Sequence, residues 1–569
     1  MADPPVKREG SKVTTKYHEK DAQDQATLAQ LDKLGEGGWW LWSMFFLISS
    51  IGIFNGIHAI STIFIAIVPD TYNCKVPELT ALGWSDDQIR SISVPGNVEQ
   101  SCKMYNRDYA ALANMTDEDL NDYLKTHSND SVISCKYGME YVQEPLTSFV
   151  TEWDLVCERL YLRSTITTAL GIGKFAGAFI FGVIADKYGR KLSIIIGSII
   201  FIITAPLQAV VNDFLLYFFL RFLVGVSGIG AYNTAYTLLS EISGPKHRGW
   251  MSIVINLSYA IGMIIISCAY YFFKPWRQLQ LATSIPTVLL LIHCWLLPES
   301  PRWLINKGRS KKAAKIVFGR KYEYNVASAT PATSTQADGG KKPSCWQKVK
   351  NSFVEITDIL KHTEMRHRLL ICLVTWFSSA LGYYAMAIND INLPVEKMIY
   401  GIMSGSLECI SYFIPLPLLK FCGRRTINFL LFMSATACFI PILSFSLDYA
   451  YTLMVISLIG RLFMSAVFAV VILHTLELFP TSNRSTAQGL SSTMANVGSI
   501  SAPYIVDLLG DVSWQFPIGF CGVFAFISAV LVLLLPETKG RPMCDTPDDI
   551  DGPEQGKVSI KNISCRRRS

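Results

Sequence analysis

Two charged side chains stand inside long apolar stretches of the sequence, where they could bind a charged ligand. Lys174 follows Ser164 by ten positions, and Glu408 lies about as deep in another apolar run. An unpaired charge at the centre of a membrane-spanning helix costs about 2.5–3.5 kcal/mol, so such residues are rare and usually functional. We predict that Lys174 receives a carboxylate and Glu408 an amine of a small zwitterion, or that Glu408 is a proton site. The alternative for each residue is an ion pair that holds helices together.

Aromatic side chains on two further apolar runs could bind a cation beside these charges. Tyr232 and Tyr236 are four residues apart and share one face of a helix, while Tyr383 and Tyr384 are adjacent in the second run. The face of an aromatic ring attracts an ammonium group by about 0.5–2 kcal/mol. The alternative is ordinary helix packing. Asn256 is a candidate polar contact, and its alternative role is a hydrogen bond between helices.

The segments that carry these residues indicate a polytopic membrane protein. The chain has 569 residues, of which 50% are apolar and 17% charged, whereas soluble domains carry about 25% charged residues. A helix of about 20 apolar residues crosses a bilayer. We predict an all-α membrane protein with twelve transmembrane helices in two six-helix halves. In order, the predicted spans 1 to 12 are Trp40–Val68, Ser164–Ile184, Leu192–Val211, Phe214–Leu239, Met251–Phe273, Leu279–Leu297, Leu369–Ile388, Met398–Leu419, Ile427–Ser446, Tyr451–Leu473, Thr486–Leu509 and Phe516–Leu535.

The spans divide the chain into five regions with a clear asymmetry of charge. These regions are an N-terminal tail (1–39), an N-terminal half (40–297), a linker (298–368), a C-terminal half (369–535) and a C-terminal tail (536–569). With both termini in the cytoplasm, 37 of the 51 Lys and Arg residues fall in cytoplasmic segments and 11 in external ones, as the positive-inside rule requires. The net charge of +6 therefore reflects topology and not nucleic-acid binding. We predict a multi-pass protein of the plasma membrane.

The large loop 69–163 between spans 1 and 2 is predicted to be extracellular. It contains four cysteines, which are candidates for two disulfides in any of three pairings, namely Cys74, Cys102, Cys135 and Cys157. It also contains the glycosylation sequons of Asn114 and Asn129. Both features are typical of a loop that faces the cell exterior.

The two predicted halves repeat one another at charged positions. Gly189–Lys191 after span 2 corresponds to Gly423–Arg425 after span 8, and Pro298–Ser300 after span 6 corresponds to Pro536–Thr538 after span 12. Duplicated halves favour alternating access to a site at the midplane of the membrane. The repeated charges are therefore predicted to work in the gates.

Two arginines in the spans are repeated as well, and we predict a scaffold role for them. Arg221 in span 4 and Arg461 in span 10 are expected to act with Glu241 and Glu477 in the gates. The complete set of predicted gate or structural residues is Asp186, Gly189, Arg190, Arg221, Glu241, Glu299, Arg302, Arg424, Arg461, Glu477 and Glu537.

At these positions the sequence resembles the major facilitator superfamily. The segment Gly182–Lys191 (GVIADKYGRK) is similar to the signature of that superfamily between spans 2 and 3, which implies its twelve-helix fold. Within the superfamily, the chain is similar to the organic cation, carnitine and organic anion transporter family over most of residues 39–542. The segments that carry this resemblance are Val150–Cys157, Pro298–Leu304, Glu477–Thr481 and Pro536–Gly540.

The resemblance implies roles for several of the candidate residues. In cation-transporting relatives an acidic residue at the position of Glu408 lines the substrate cavity, and positions matching Tyr232 and Tyr236 contact substrate. Asn496 in span 11 is a further candidate substrate residue, because it stands where such cation carriers often have Asp and where anion or carnitine carriers have Arg. The lysine that anion carriers place in span 8 is replaced by Tyr412. These two differences weaken an organic-anion interpretation.

We therefore expect a secondary transporter of small organic cations or zwitterionic amine and amino-acid derivatives, driven by the membrane potential, an ion gradient or both. The sequence contains no nucleotide-binding Gly-x-x-x-x-Gly-Lys-Ser/Thr motif, and no enzymatic activity, metal or cofactor is expected. The expected partners are a small-molecule substrate, the lipid bilayer and a coupling ion. The alternatives are an organic-anion or sugar carrier, and a membrane receptor that kept this fold and lost transport.

Overall fold

The computed structural model describes most of the chain between residues 10 and 539. The described residues are 10–69, 71–96, 101–115, 117–127, 130–141, 148–319, 356–357, 359–388, 395–480 and 483–539. The predicted glycosylation site Asn129, residues 320–355 of the linker, and residues 1–9 and 540–569 of the tails lie outside them.

Long helices follow one another in the order of the predicted spans, whose numbers we keep. In that order they are Trp39–Ile60 with Thr62–Ile65, Leu160–Tyr188, Arg190–Leu207, Phe214–Ile242, Pro245–Phe272, Trp276–Ser284 with the 3-10 helix Ile285–Leu291 and Ile292–Leu296, Thr363–Ile388, Lys397–Ser411 with Pro415–Phe421, Arg424–Ile442, Ala450–Leu478, Arg484–Val512 and Phe516–Leu533. In the described part of the chain, eleven helices are long and apolar enough to cross a membrane. The helix of span 11 (Arg484–Val512) has 29 residues but a more polar sequence and is not among the eleven.

Local sequence signals explain where these helices begin and end. Asp213 accepts a hydrogen bond from the backbone N–H of Leu216 at 2.7 Å and so caps the start of span 4. Gly189 ends span 2 with a φ of +112°, a conformation that residues with a side chain rarely adopt. Pro415 begins the second segment of span 8, because a proline cannot donate the backbone hydrogen bond that would continue the first.

Each half has its own apolar core. One cluster of buried side chains runs from Leu41 to Leu297 and contains Trp276 and Tyr217, and the other runs from Ile359 to Leu535. The halves meet where span 2 packs on span 11 and span 5 packs on span 8. The helices approach closely there because small residues line the contact, as the position of Gly401 against Ser267 illustrates.

The helix bundle has two ends, which we name by the elements found there. The loop face is the end at which spans 2 and 4 begin, at Leu160 and Phe214. The opposite face is the end at which the same helices finish, at Tyr188 and Ile242.

The loop between spans 1 and 2 is a small folded unit with strands as well as helices. Strand β1 (Tyr72–Cys74) pairs with β4 (Met139–Tyr141), and β2 (Lys103–Tyr105) pairs with β3 (Val132–Ser134), both antiparallel. Disulfides join Cys74 to Cys135 and Cys102 to Cys157, which selects one of the three possible pairings. The helices of the loop are Pro77–Thr80, Asp86–Ser93, Tyr109–Leu112, Asp117–Thr126, Phe149–Glu152 and the 3-10 helix Cys157–Arg159.

Shorter elements complete the described structure. A helix of 25 residues, Gly10–Leu34, precedes span 1, and its Asp32 forms an ion pair of 2.6 Å with Arg302. The helices Pro301–Asn306 and Ser310–Phe318 follow span 6, and the 3-10 helix Leu447–Tyr449 precedes span 10.

Candidate functional site

Glu408 in span 8 is bound to a charged residue of the neighbouring span 10. Its carboxylate Oε2 lies 3.1 Å from Nη2 of Arg461, and both side chains are buried. The sequence predicted that Arg461 acts with Glu477, and that prediction is wrong. The two residues lie sixteen positions apart on one helix, about 24 Å along its axis, so they cannot meet.

The other carboxylate oxygen of Glu408 accepts hydrogen bonds. Its Oε1 accepts hydrogen bonds from the phenol of Tyr412 at 2.8 Å and from the hydroxyl of Ser465 at 3.0 Å. Arg461 donates in turn to the hydroxyl of Ser404. The charge of Glu408 is therefore neutralised by Arg461 in this conformation, so this carboxylate is not the open receptor for an amine that the sequence predicted.

A row of aromatic rings leads from this ion pair to the other half of the molecule. The guanidinium carbon of Arg461 lies 4.8 Å from the ring centre of Tyr383, and the rings of Tyr383 and Tyr384 pack edge to face at 4.9 Å. Nζ of Lys174 lies 5.5 Å from the ring centre of Tyr384. We call these residues, Lys174, Tyr384, Tyr383, Arg461 and Glu408, the central row. It connects span 2 to span 8 across the interface between the halves.

Lys174 is the cation of the central row that lacks a counter-ion. It is half-buried in span 2, and within the described ranges it forms no ion pair with a carboxylate. The proposed structural alternative, a Lys174–carboxylate pair, is therefore not found there. Two cations and one anion give the central row a surplus positive charge, and a charge that is partly removed from water without a counter-ion is costly.

Further polar residues surround the central row from the N-terminal half. The phenol of Tyr232 donates a hydrogen bond of 2.9 Å to Oδ1 of Asn256, so the structure brings these two predicted residues together. Tyr412 is close enough to Tyr232 to interact with it electrostatically. Tyr259 in span 5 interacts in the same way with Tyr383 and Glu408. The sequence analysis missed Tyr259, although its position three residues after Asn256 on the same helix was a usable signal.

Two predicted substrate residues are not brought into this network. Tyr236 is exposed. The side-chain amide of Asn496 donates to the backbone carbonyl of Ser492 in its own helix at 2.9 Å.

Arg221 does not contact Glu241, the gate residue with which it was predicted to act. It lies twenty residues before Glu241 on one helix, about 30 Å along the axis, so a shared gate is impossible. Its guanidinium is fully buried and donates to the hydroxyls of Ser61 and Thr62 at 2.8 and 2.9 Å. Arg221 thus supports the break in the helix of span 1, at the junction between Ile60 and Thr62.

At the opposite face, the repeated motifs build one charge cluster in each half. In the N-terminal half, Arg190 forms an ion pair of 2.9 Å with Glu241 and one of 3.0 Å with Asp186. The carboxylate of Glu299 accepts a hydrogen bond from the backbone N–H of Arg190 at 2.8 Å. Arg302 donates to the backbone carbonyl of Glu241 at 2.9 Å.

The C-terminal half contains the equivalent contacts. Arg424 forms an ion pair of 3.0 Å with Glu477, and its backbone N–H donates to the carboxylate of Glu537 at 2.8 Å. Each cluster joins elements of one half only.

Several hydrogen bonds join the two halves toward the loop face. Arg163 at the start of span 2 forms a buried ion pair of 3.3 Å with Asp507 in span 11, whose second oxygen accepts a hydrogen bond from Ser164. Farther into the bundle, the hydroxyl of Thr168 donates to the carbonyl of Ile500 at 3.2 Å. The Arg163–Asp507 pair was not predicted from the sequence, because Arg163 was assigned to the loop and the charge of Asp507 within span 11 was not considered.

A cavity of about 950 Å³ opens above that ion pair, between the folded loop and the helices. Arg163 and Asp507 are among its lining residues. Asp154 also lines the cavity, and its carboxylate accepts a hydrogen bond from the phenol of Tyr141 at 3.0 Å. Burial, together with that carboxylate, raises the pKa of Tyr141 above its ordinary value, so the phenol keeps its proton at neutral pH. In the described residues, no group of His, Cys, Asp and Glu side chains could hold a metal ion.

Comparison with known proteins places this arrangement among membrane transporters. The sugar (and other) transporter family matches residues 109–548. Human organic cation/carnitine transporter 2 is 30% identical over 536 residues, covering 91% of this chain and 92% of that protein. The β-alanine transporter of Drosophila melanogaster is 28% identical over 533 residues, covering 86% and 83%. Among solved structures, the inward-open xylose transporter of E. coli matches the fold with a TM-score of 0.55, at 14% identity and over 88% of this chain and 98% of that one.

Proposed function

Because this chain belongs to the sugar (and other) transporter family of the major facilitator superfamily, within its organic cation, carnitine and organic anion group, we propose that it transports small zwitterions. The substrate would carry a carboxylate and an amine or quaternary ammonium group on a short scaffold. β-Alanine and carnitine, after which two relatives are named, have this chemistry.

The surplus positive charge of the central row carries this proposal. Glu408 and Arg461 neutralise one another at 3.1 Å, which leaves Lys174 with a ring contact and no carboxylate within the described ranges. A substrate carboxylate that binds Lys174 would supply the missing counter-ion. Hydrogen bonds between charged groups of this kind are stronger than neutral ones.

The tyrosines supply a matching environment for the amine. The rings of Tyr383 and Tyr384 lie at right angles, so an ammonium group between spans 7 and 8 meets a ring face in more than one orientation. Tyr384 already holds one cation, Lys174, at its ring. Neutralisation of Lys174 by the substrate carboxylate would free that face for the substrate amine.

The contacts between the halves support a mechanism of alternating access. In the described part of the chain, hydrogen bonds and an ion pair link the halves toward the loop face, at Arg163, Thr168 and Asp507. The charge clusters of Arg190 and Arg424 join elements within one half, so the halves can separate at the opposite face without losing them. We infer that the loop side is the closed side in this conformation.

We further propose the location and the energetics of transport. The two disulfides and Asn114 support an extracellular loop, with both termini in the cytoplasm of a plasma-membrane protein. The regions proposed from the sequence would then be two helical halves with a cytoplasmic linker and tails. A membrane potential supplies about 2.3 kcal/mol per charge per 100 mV, but a net-neutral substrate gains nothing from it. Concentrative uptake would therefore need a coupled ion.

An organic cation is the second candidate substrate, favoured by the aromatic rings around Glu408. For such a substrate to bind the carboxylate of Glu408, it would have to displace Arg461.

Competition uptake separates these candidates. Cells expressing the full chain would take up labelled β-alanine in the presence of excess carnitine, tetraethylammonium, benzoate or glucose. We expect strong inhibition by carnitine and weaker inhibition by tetraethylammonium. Saturable uptake of labelled tetraethylammonium in the same cells, with no saturable β-alanine uptake, would favour the organic-cation candidate instead.

A further inference from the structure

The cavity at the loop face contains a charged floor that the proposed transport site does not use. Arg163 and Asp507 form that floor, with side chains only 3% and 4% exposed. They belong to different halves, and both line the cavity. Nothing in the central row contacts them, because Lys174 lies eleven residues farther along span 2, about 16 Å from Arg163.

The floor has an unused donor that points to a ligand. Nη1 of Arg163 contacts Asp507 at 3.3 Å, whereas its Nη2 is buried and has no hydrogen-bond partner among the described residues. A buried guanidinium nitrogen without a partner is unfavourable. A carboxylate that reaches the floor of the cavity would satisfy this donor, and guanidinium groups bind carboxylates with two parallel hydrogen bonds.

The same floor presents an anion for the other end of such a ligand. Asp507 accepts from Ser164 at 2.5 Å and from Arg163, and each carboxylate oxygen can accept a further hydrogen bond. A ligand with a carboxylate alone would face Asp507 at close range, and a ligand with an ammonium alone would face Arg163. A ligand with both charges meets an opposite charge at each end.

The rim of the cavity is also charged, with a bias that suits the approach of a carboxylate. The exposed basic residues that line the cavity are Lys103, Lys136 and Arg159. The exposed acidic residue that lines it is Glu158. The carboxylate of Asp154, also on the wall, is bound by the phenol of Tyr141. The loop 69–163 contains 16 Asp and Glu residues but only 8 Lys and Arg residues, so this basic rim is a local feature of the cavity.

We propose that the cavity at the loop face is a second binding site for small zwitterions, in which Arg163 receives the carboxylate and Asp507 the ammonium group. This proposal rests on the proposed function for its substrate class, since the same zwitterion would later enter the central row. The site would be available while the halves are linked at Arg163 and Asp507. It would therefore hold a substrate on the loop side before that side opens.

Protection of an engineered cysteine tests the site directly. Gly510 lines the cavity one helical turn beyond Asp507, so the purified full-length protein with Gly510→Cys would be treated with a polyethylene-glycol maleimide. The labelling at position 510 is obtained by subtracting the maleimide signal of the protein without the substitution, because its native cysteines also react. We expect millimolar β-alanine to slow this labelling at least about threefold and tetraethylammonium to leave it unchanged.

Three further substitutions, each combined with Gly510→Cys, separate this site from the transport site. Lys174→Ala disables the proposed transport site, and protection by β-alanine should persist in it. Asp507→Asn and Arg163→Gln remove one charge of the floor, and protection should be lost in both. The matched control is Lys125→Ala, an exposed loop residue outside the cavity, which should behave like the parent.

The possible outcomes decide the proposal. If protection disappears with Lys174→Ala and survives Asp507→Asn, it reports a conformational change driven from the central row, and the loop-face site is refuted. Equal protection by tetraethylammonium would refute the zwitterion assignment. Loss of uptake without loss of protection in Lys174→Ala supports both sites, whereas unchanged uptake with retained protection contradicts only the proposed function.

Discussion

Arg461 in span 10 reaches Glu408 in span 8 at 3.1 Å, and this ion pair decides how the charges inside the bundle are to be interpreted. Taken alone, Glu408 is a carboxylate in the middle of a membrane helix and would attract a cation. Paired with Arg461 and bonded to Tyr412 and Ser465, it is neutral toward its surroundings. The charge left to attract a ligand is then that of Lys174.

The ion pair itself gives a first prediction. Glu408→Gln or Arg461→Gln alone should lower thermal stability strongly. Removal of one partner of a buried pair leaves an uncompensated charge, which lowers the free energy of unfolding by about 3–5 kcal/mol. The double variant Glu408→Gln/Arg461→Gln should regain much of that loss. Unfolding temperatures of the purified proteins would measure the coupling. Additive effects of the two substitutions would show that the residues do not depend on one another.

Closure of the loop side gives a second prediction. A Cβ atom on Gly171 would lie 3.9 Å from the Cα atom of Ile500, which suits a disulfide between cysteines at these positions. Oxidation of Gly171→Cys/Ile500→Cys should link the halves and stop uptake, and reduction should restore it. Each single-cysteine variant provides the control. Full uptake by the cross-linked protein would mean that spans 2 and 11 need not separate.

The charge cluster at the opposite face gives a third prediction. Gly189 has a φ of +112°, and a Cβ atom there would collide with the carboxylate of Glu299. Gly189→Ala should therefore cost about 1–3 kcal/mol from backbone strain alone and reduce uptake at equal surface expression. Gly182→Ala is the matched control, because no atom lies within 4 Å of a Cβ atom at that position of the same helix. Equal uptake by the two variants would argue against a tight packing requirement at Gly189.

The aromatic part of the central row gives a fourth prediction. Tyr384→Leu removes a ring face that is worth about 0.5–2 kcal/mol to a cation, so the KM for a zwitterion should rise about 2- to 30-fold. Tyr271→Leu, on an exposed tyrosine of span 5, should leave KM unchanged. Initial rates of uptake over a range of substrate concentrations give both values. A change in the maximal rate without a change in KM would exclude a binding role for Tyr384.

Much of the fold followed from the sequence because it depends on local patterns. Runs of about 20 apolar residues predict helices wherever they occur, and the two copies of the Gly-Arg and Pro-Glu motifs predicted equivalent positions in the two halves. Span 11 was predicted from such a run, although its helix, Arg484–Val512, is too polar to be counted among the eleven apolar ones. The small strands of the loop were not predicted, since strands of three residues leave little pattern.

The partners inside the site could not be predicted, because they depend on how helices rotate and pack. Arg221 and Arg461 occupy equivalent positions in the sequence, yet one binds hydroxyls of span 1 and the other binds Glu408. The rise per residue of an α-helix is enough to exclude contact of Arg221 with Glu241 and of Arg461 with Glu477, because each arginine lies far from its glutamate on the same helix. The lack of a carboxylate at Lys174 is a property of the assembled helices, so only the structure could distinguish a structural pair from an open cation.

Uptake by Lys174→Ala is the measurement that tests the central claim most directly. A lost hydrogen bond between charged groups is worth about 1.5–3 kcal/mol, so kcat/KM for β-alanine should fall about 10- to 150-fold at equal surface expression. Lys274→Ala, an exposed lysine between spans 5 and 6, should transport normally, and tetraethylammonium should compete relatively better in Lys174→Ala than in the parent. Unchanged β-alanine uptake by Lys174→Ala would contradict the account.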